Sequence, residues 1–256
     1  IKIVYNAIEV IIMFKHYSLK QKIIMIFTLA IYFAFAFFVI KTAINDKSTA
    51  GILFVIIGVV ALIFGSLNEY LKLLYNEALW YLNFKLDPDK ASEIYDKLET
   101  KDVFKTYVNN RGLFDTMVAL EKKDPRLVLQ TIEENDKKFS TNVEMLLIKC
   151  YYQMRAYLML GQTQKLNIVY NDVKNIEDMK KRPKIFQYDE LDAIHKLSIK
   201  QDGEAYKLLK NVNMAYMNPK ECKFILEELL LTAPNNEKET YKEQLDLLME
   251  TVNESK

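Results

Sequence analysis

Two uncharged apolar runs near the start of the chain, residues 23–40 and 50–67, constrain its fold more than any other feature. Each run is 18 residues long, and a helix of about 20 apolar residues spans the ~30 Å hydrocarbon core of a bilayer. The pattern predicts a two-span transmembrane hairpin over residues 20–68. Two alternatives are a cleaved signal followed by one anchor and the buried helical hairpin of a soluble protein. The first run exceeds the ~7–15 apolar residues of a signal peptide, and no small-residue cleavage site follows it.

Lysines around the two runs predict the orientation. Four lie on the outer flanks of the pair and two in the connecting loop: Lys15, Lys20, Lys22 and Lys72, against Lys41 and Lys47. Cytoplasmic flanks of membrane spans carry the excess of Lys and Arg. We therefore expect both termini, and with them residues 69–256, to be cytoplasmic.

Charge divides the chain into two parts. Residues 1–68 carry a formal charge of +4 and residues 69–256 a formal charge of −3. The positive part is the one expected to meet anionic head groups, so the lipid bilayer is an expected partner. The mixed charges of the longer part argue against a nucleic-acid partner. Residues 1–19 form an N-terminal flank. Residues 1–12, which precede Met13, are interpreted either as an upstream extension of the native reading frame or as the remnant of a longer protein.

Small residues predict close helix packing in the membrane. Gly51, Gly58 and Gly65 recur every seven residues in the second run, and Ala30 and Ala34 form a small-residue pair in the first. Such a stripe lets another helix backbone approach closely. Packing within the hairpin is one interpretation, and a homo-oligomer formed through the stripe is the other.

The second apolar run predicts a helix that continues beyond the membrane. A three-to-four spacing of apolar residues persists through Leu71, Leu74, Ala78 and Leu82, as in an amphipathic helix. A helix from about residue 50 to residue 86 is ~55 Å long at 1.5 Å per residue. We expect this helix to couple the membrane anchor rigidly to the rest of the chain.

The pattern of residues 69–256 predicts an all-α domain. We expect its helices to form an array of antiparallel helix pairs, an α-solenoid. Expected helix breaks fall at Pro88, Pro125, Gly161, Pro183, Gly203, Pro219 and Pro234. Short connections between helices of about 12–20 residues are typical of antiparallel pairs. The last pair is expected at residues 219–232 and 237–252.

A weak repeat recurs in the second helix of four successive pairs. Small or apolar residues lie at 91, 128, 166 and 205, and large residues follow at 95, 132, 170 and 209. With Leu160-Gly161-Gln162 before one of these helices, residues 70–253 resemble the tetratricopeptide-repeat family. The intervals of 37 to 39 residues exceed that family's ~34, and its first-helix Trp and Gly-Tyr signature is missing. The resemblance implies a concave groove for a protein or peptide partner, with no ligand-contacting position carried over.

Catalytic patterns are weak in this sequence. It has no phosphate-binding glycine loop and no metal-binding histidine or cysteine pair, so we predict no catalytic residue, cofactor or metal site. Asp192 precedes His195 by one helical turn, which fits an acid–base pair or an ordinary helical pair. Cys150 and Cys222 are expected to be buried thiols. The basic cluster 180–184 is either a solvated loop or a phosphate-binding segment.

Polar and aromatic residues on the first helix of each pair are the candidate partner contacts. They are Asn109, Asn110, Arg111, Lys149, Tyr152, Arg155 and Tyr188. Asn and Arg can hydrogen-bond the backbone or carboxylates of an extended peptide, whereas the alternative is ordinary surface solvation.

We expect the chain to act as a membrane-tethered scaffold or adaptor rather than an enzyme. The function would be to bind a protein or peptide partner at the cytoplasmic membrane face. The alternative is a self-associating membrane assembly component that works through the Gly51/Gly58/Gly65 stripe. An enzyme with scattered catalytic residues would instead need a deep pocket where acidic groups converge on His195.

Overall fold

The computed structural model describes residues 19–179 and 183–254, and these residues contain no β-strand. The all-α prediction is therefore confirmed for this part of the chain. Its α-helices are α1 (Leu19–Asn45), α2 (Thr49–Asn83), α3 (Pro88–Glu99), α4 (Arg111–Glu121), α5 (Pro125–Glu134), α6 (Asp136–Phe139), α7 (Val143–Met159), α8 (Thr163–Glu177), α9 (Tyr188–Ser198), α10 (Asp202–Asn211), α11 (Pro219–Thr232) and α12 (Asn235–Glu254). Two 3₁₀ turns lie at Val108–Asn110 and Met214–Tyr216.

The first two helices are long and apolar enough to cross a membrane. The apolar stretch of α1 covers Lys22–Asn45, and α2 has 35 residues. Only 6% of the most apolar 18-residue segment of α1, and 11% of that of α2, is buried within the protein. α2 continues without a break past the apolar run, as its spacing predicts. It ends three residues before Leu86, which takes a positive φ of 53°.

The helices form two compact units. The first unit comprises the described chain up to Ala78 together with Ile94–Asp102. Within it, the part of α2 that follows the apolar run buries Leu71 and Leu74, and α3 buries Tyr95 and Leu98. The rings of Tyr75 and Tyr95 meet edge to face, with centroids 6.0 Å apart. The end of α3 therefore shares one core with α2.

The second unit comprises Leu79–Glu93 and Val103–Lys256. Its consecutive helices pack in pairs, α4 on α5, α7 on α8, α9 on α10 and α11 on α12. Proline and capping residues set the starts of two of them. Asp124 caps α5 by accepting from Leu127 N, and Asn218 and Glu221 form a capping box on α11. Such caps satisfy amides that have no partner within the helix.

The positions of the weak repeat lie in the interior of the protein. Ala91, Val128, Leu166 and Ala205 are each 0% exposed. Of the large residues four positions later, Tyr95, Ile132 and Leu209 are also buried, whereas Tyr170 is partly exposed. Residues four apart share a helix face, so these pairs form the packed face of four helices.

Helix α11 contacts helices far away in the sequence. Lys223 on α11 pairs with Glu121 on α4, and Glu228 on α11 pairs with Arg155 on α7. Near the end of α12, the Val252 carbonyl accepts a 3.2 Å hydrogen bond from Lys85 Nζ. In a simple solenoid each repeat contacts only its neighbours. In this unit the last helix pair also contacts the earlier helices.

Candidate functional site

A buried ionic cluster, consisting of Arg155, Glu190 and Glu228, joins α7, α9 and α11. Arg155 Nη2 donates to Glu190 Oε1 at 2.7 Å, and Nη1 donates to Glu228 Oε1. Arg155 Nε donates to Tyr151 Oη at 3.2 Å. The three charged residues are 5%, 4% and 6% exposed. A planar guanidinium suits this place because it can reach two carboxylates at once.

Aromatic rings surround the guanidinium. Its central carbon lies 4.8 Å from the ring centroid of Phe224 and 5.3 Å from that of Tyr151. Tyr151 in turn stacks on Phe186, with centroids 4.1 Å apart. Cation–π attraction is stronger when the cation is withdrawn from water. The rings therefore stabilise the charge and exclude solvent from the ion pairs.

The buried ionic cluster holds one cation and two carboxylates. Burial raises the pKa of Glu228 to about 7, with Glu190 adding to the shift and Arg155 opposing it. Its Oε2 atom has no hydrogen-bond partner among the described residues. For Arg155, burial lowers the pKa, but Glu228, Tyr151 and Glu190 together raise it above its ordinary value. Glu228 therefore takes up a proton at a higher pH than an ordinary glutamate.

Charged residues continue along the inner face of α11. Lys220, Phe224 and Glu228 are spaced four apart and are all buried, as expected for one helix face. Burial lowers the pKa of Lys220 to about 8, with Glu121 opposing the shift. The contact of α11 with α4 and α7 therefore relies on ion pairs as well as on apolar packing.

An open cavity of about 460 Å³, here called the α9 pocket, lies beside the ionic cluster. Its lining residues are Lys184, Ile185, Phe186, Gln187, Glu190, Asn213, Met217 and Glu221. The Gln187 side chain holds two walls together, since its amide nitrogen donates to Asn213 O and its oxygen accepts from Asn213 N, both at 2.9 Å. This volume is within the range of ligand pockets.

Four of the predicted partner contacts lie at or near the surface. Asn109 and Asn110 are exposed in the first 3₁₀ turn. Arg111 Nε bonds Asp115 at 2.8 Å, and Lys149 Nζ bonds Asp136 at 2.6 Å. These two cations already have acidic neighbours in the same chain.

The other three predicted contacts are more enclosed. Tyr152 and Arg155 are 6% and 5% exposed, and Arg155 is committed to the ionic cluster. Tyr188 at the start of α9 is partly exposed and donates from its hydroxyl to Pro183 O at 3.2 Å. The structure therefore brings Tyr152 and Arg155 together inside the second unit, away from solvent.

The glycine stripe of α2 lies against α1 and the residue that follows it. A Cβ atom built at Gly58 would be 2.6 Å from Val39 Cγ2, and one at Gly65 would be 2.7 Å from Tyr32 Oη. At Gly51 it would be 2.6 Å from the Asp46 carboxyl carbon. Such distances leave no room for a side chain. The predicted small-residue pair, Ala30 and Ala34, is exposed instead.

His195 and Asp192 do not form an acid–base pair. The His195 ring stacks on Tyr170, with centroids 3.9 Å apart and planes 1° apart. Asp192 accepts from Tyr170 Oη at 2.9 Å and pairs with Lys174 at 2.8 Å. Burial lowers the pKa of His195. Among the described residues, no three His, Cys, Asp or Glu side chains are grouped to hold a metal ion.

The two cysteines are free thiols. Cys150 is buried, and burial raises the pKa of its thiol to about 12. Cys222 is only partly buried. The expectation of a buried thiol thus holds fully for Cys150 alone. Residues 180–182 of the basic cluster lie outside the described residues, whereas Lys184 lines the α9 pocket.

The acidic partners of Arg155 were not among the residues predicted from the sequence. Glu190 directly precedes Leu191 in α9, and Glu228 directly precedes Leu229 in α11. An acidic residue on the apolar face of a helix is a signal of a buried ion pair, since such groups are rarely buried alone.

Comparison of the chain with protein-family models, curated proteins and solved structures finds no match.

Proposed function

We propose that this chain is a membrane-tethered helical scaffold that holds a protein or peptide partner at the cytoplasmic face. One observation carries the proposal. The uncharged runs of α1 and α2 expose large apolar side chains, such as Phe33 at 74% and Ile57 at 66%. So large an apolar surface is unfavourable in water and marks an interaction site. A bilayer of ~30 Å apolar thickness matches the length of both runs.

The continuity of α2 supports a tethering role. The helix runs from its apolar half to Asn83 without interruption. A helix is stiffer than a flexible linker, so the residues after Asn83 are held near the bilayer. The four flanking lysines favour the cytoplasmic side.

The α9 pocket is the proposed partner site. Tyr152 and Arg155, expected in a binding groove, are buried next to α11, whereas the pocket is open and includes the exposed Ile185. Its lining includes Lys184 and Glu221, whereas the Glu190 carboxylate is already paired with Arg155. An apolar side chain on an extended segment, flanked by polar groups, suits this lining. The tetratricopeptide-like pattern also favours peptide recognition by such a domain.

Crosslinking of the intact protein in gently solubilised native membranes tests the proposal. Two matched variants, Ile185→Asp in the pocket and Ile168→Asp on α8, place the same charge at exposed isoleucines (42% and 66% exposed). We expect mass spectrometry to identify a near-stoichiometric partner crosslinked near α9. Its recovery should drop with Ile185→Asp and persist with Ile168→Asp. Equal recovery with both variants would contradict the pocket assignment.

Self-association through the glycine stripe is the alternative proposal. Gly58 and Gly65 already lie against Val39 and Tyr32 of the same chain, so a second copy would have to displace α1. Recovery of self-crosslinks alone, concentrated near α1 and α2, would favour this alternative over the scaffold.

A further inference from the structure

The loop at residues 100–107, between α3 and the first 3₁₀ turn, combines exposed apolar side chains with lysines. Val103 is 74% exposed and Phe104 is 58% exposed. Lys101 and Lys105 lie on either side of this pair, and Lys105 has a positive φ of 54°. An apolar tip between cations is typical of segments that enter the surface of an anionic bilayer.

The start of the loop lies beside the end of the second apolar run. Lys101 Nζ donates to Tyr70 Oη at 2.8 Å and lies 4.7 Å from the centroid of that ring. Tyr70 follows the last residue of the run, Leu67, by three residues, which is ~4.5 Å along a helix. The headgroup layer on each side of a bilayer is ~5–7 Å thick. If α2 spans the bilayer as proposed, Tyr70 and Lys101 lie within this layer.

Chain geometry keeps the apolar pair near this level. Val103 follows Lys101 by two residues, and an extended chain advances at most ~3.6 Å per residue. Its Cα atom is therefore within ~7 Å of that of Lys101. On α2, Lys72 adds a cation two residues after Tyr70, with 51% of its side chain exposed.

We propose that the loop at residues 100–107 is a lipid-binding element. Val103 and Phe104 enter the boundary between head groups and acyl chains. Lys101 and Lys105 bind the phosphates of anionic lipids, which attract basic residues near the surface. The inference rests on the proposed function, because the apolar run of α2 sets the level of the bilayer. The loop gives the cytoplasmic part of the chain a second attachment to the membrane.

Depth-dependent fluorescence quenching tests the inference. Single cysteines replace Val103 in the loop, Ile57 in α2 and Thr141 in an exposed turn, and each carries an environment-sensitive dye. The unsubstituted chain serves as the control for background labelling of the native Cys150 and Cys222. The full protein is reconstituted in phosphatidylcholine vesicles with and without phosphatidylglycerol. All of these vesicles contain lipids with a nitroxide near the head group. We expect about threefold stronger quenching at position 103 than at 141, because interfacial side chains enter ~5–10 Å.

The three positions separate the two proposals. A second set of vesicles carries the nitroxide deep in the acyl chains. If that nitroxide quenches the dye at 57, but the dye at 103 is quenched no more than the dye at 141, the lipid-binding loop alone is overturned. No quenching at 57 would overturn the membrane-spanning proposal itself.

A matched pair of charge variants tests the lysine contribution. Lys105→Glu and Lys200→Glu reverse charge at exposed lysines that both have positive φ, 54° and 60°. Phosphatidylglycerol should increase quenching at 103 in the Lys200→Glu protein and not in the Lys105→Glu protein. The same increase in both would overturn the role of Lys105.

Discussion

Arg155 joins three helices through a guanidinium that is almost fully withdrawn from water. Its carboxylate partners lie 35 and 73 residues away in the sequence. The cost of burying these charges offsets much of their attraction, so such a cluster adds little net stability compared with apolar residues. Loss of one member is different, because the remaining charges stay buried without compensation.

Replacement of Arg155 by Met should destabilise the second unit strongly. We expect a loss of about 3–5 kcal/mol in the free energy of unfolding, since Glu190 and Glu228 lose their cation. Urea unfolding of the full chain in detergent, followed by circular dichroism, measures the loss. The exposed Arg126 provides the control, and Arg126→Met should change stability by less than about 0.5 kcal/mol. Similar losses in both variants would argue against a special role of the cluster.

Glu228 should make stability depend on pH. Its pKa is about 7 in the folded protein and 4.5 in its ordinary state. Between these values the folded protein binds more protons than the unfolded chain, so the free energy of unfolding falls as pH rises. We expect this fall between about pH 4.5 and 7.

Glu228→Gln removes this titration and should flatten the fall in thermal unfolding temperature between pH 5 and pH 7.5. Glu133→Gln is the control, because Glu133 is exposed on α5. An unchanged pH dependence in Glu228→Gln would contradict the assignment.

At the residue scale, the sequence predicted helical positions better than their environments. Lys149, Tyr152 and Arg155 do lie on one helix, α7. The burial of Arg155 was not predictable, because arginine is usually exposed and its two partners are distant in sequence. The α9 pocket was missed for the same reason, since its walls meet only after α9 and α11 have packed.

At the scale of elements, local signals predicted several helix starts. Proline fixes φ and lacks an amide proton, so it favours the first turn of a helix. α3, α5 and α11 begin at proline as expected, and α11 ends at Thr232 as expected. Gly203, expected at a break, instead lies in the first turn of α10. The position of α11 against α4 and α7 depends on distant contacts that periodicity does not reveal.

The glycine stripe leads to a prediction for α1 and α2. Gly58→Leu should push α1 away, since overpacking costs about 1–3 kcal/mol. Cysteines at Phe38 and Phe54, whose ring centroids are 5.8 Å apart, report the contact by their disulfide yield. The yield should fall with Gly58→Leu and recover partly when Val39→Ala makes room.

Ala61→Leu is the matched control for this experiment, because Ala61 is exposed on α2. It should leave the disulfide yield unchanged. The size of the protein in detergent should also be the same for both variants. A loss of oligomers with Gly58→Leu alone would favour self-association through the stripe.

At the scale of the whole molecule, the composition of the first 68 residues is the main support for the proposal of a membrane-tethered protein. Two uncharged runs and flanking lysines are visible in the sequence because membrane insertion depends on composition rather than on packing detail. Partner recognition depends on a few side chains brought together by folding. Those side chains could not be predicted from spacing alone.

The central claim is that α1 and α2 cross a bilayer and leave the connecting loop and the helical domain on opposite sides. Reaction of single cysteines with a membrane-impermeant reagent tests it most directly. Asn45→Cys reports on the loop and Thr141→Cys on the domain, with the unsubstituted chain as background. In intact cells, we expect labelling at position 45, with labelling at position 141 only after lysis. Labelling of both positions from the same side would contradict the claim.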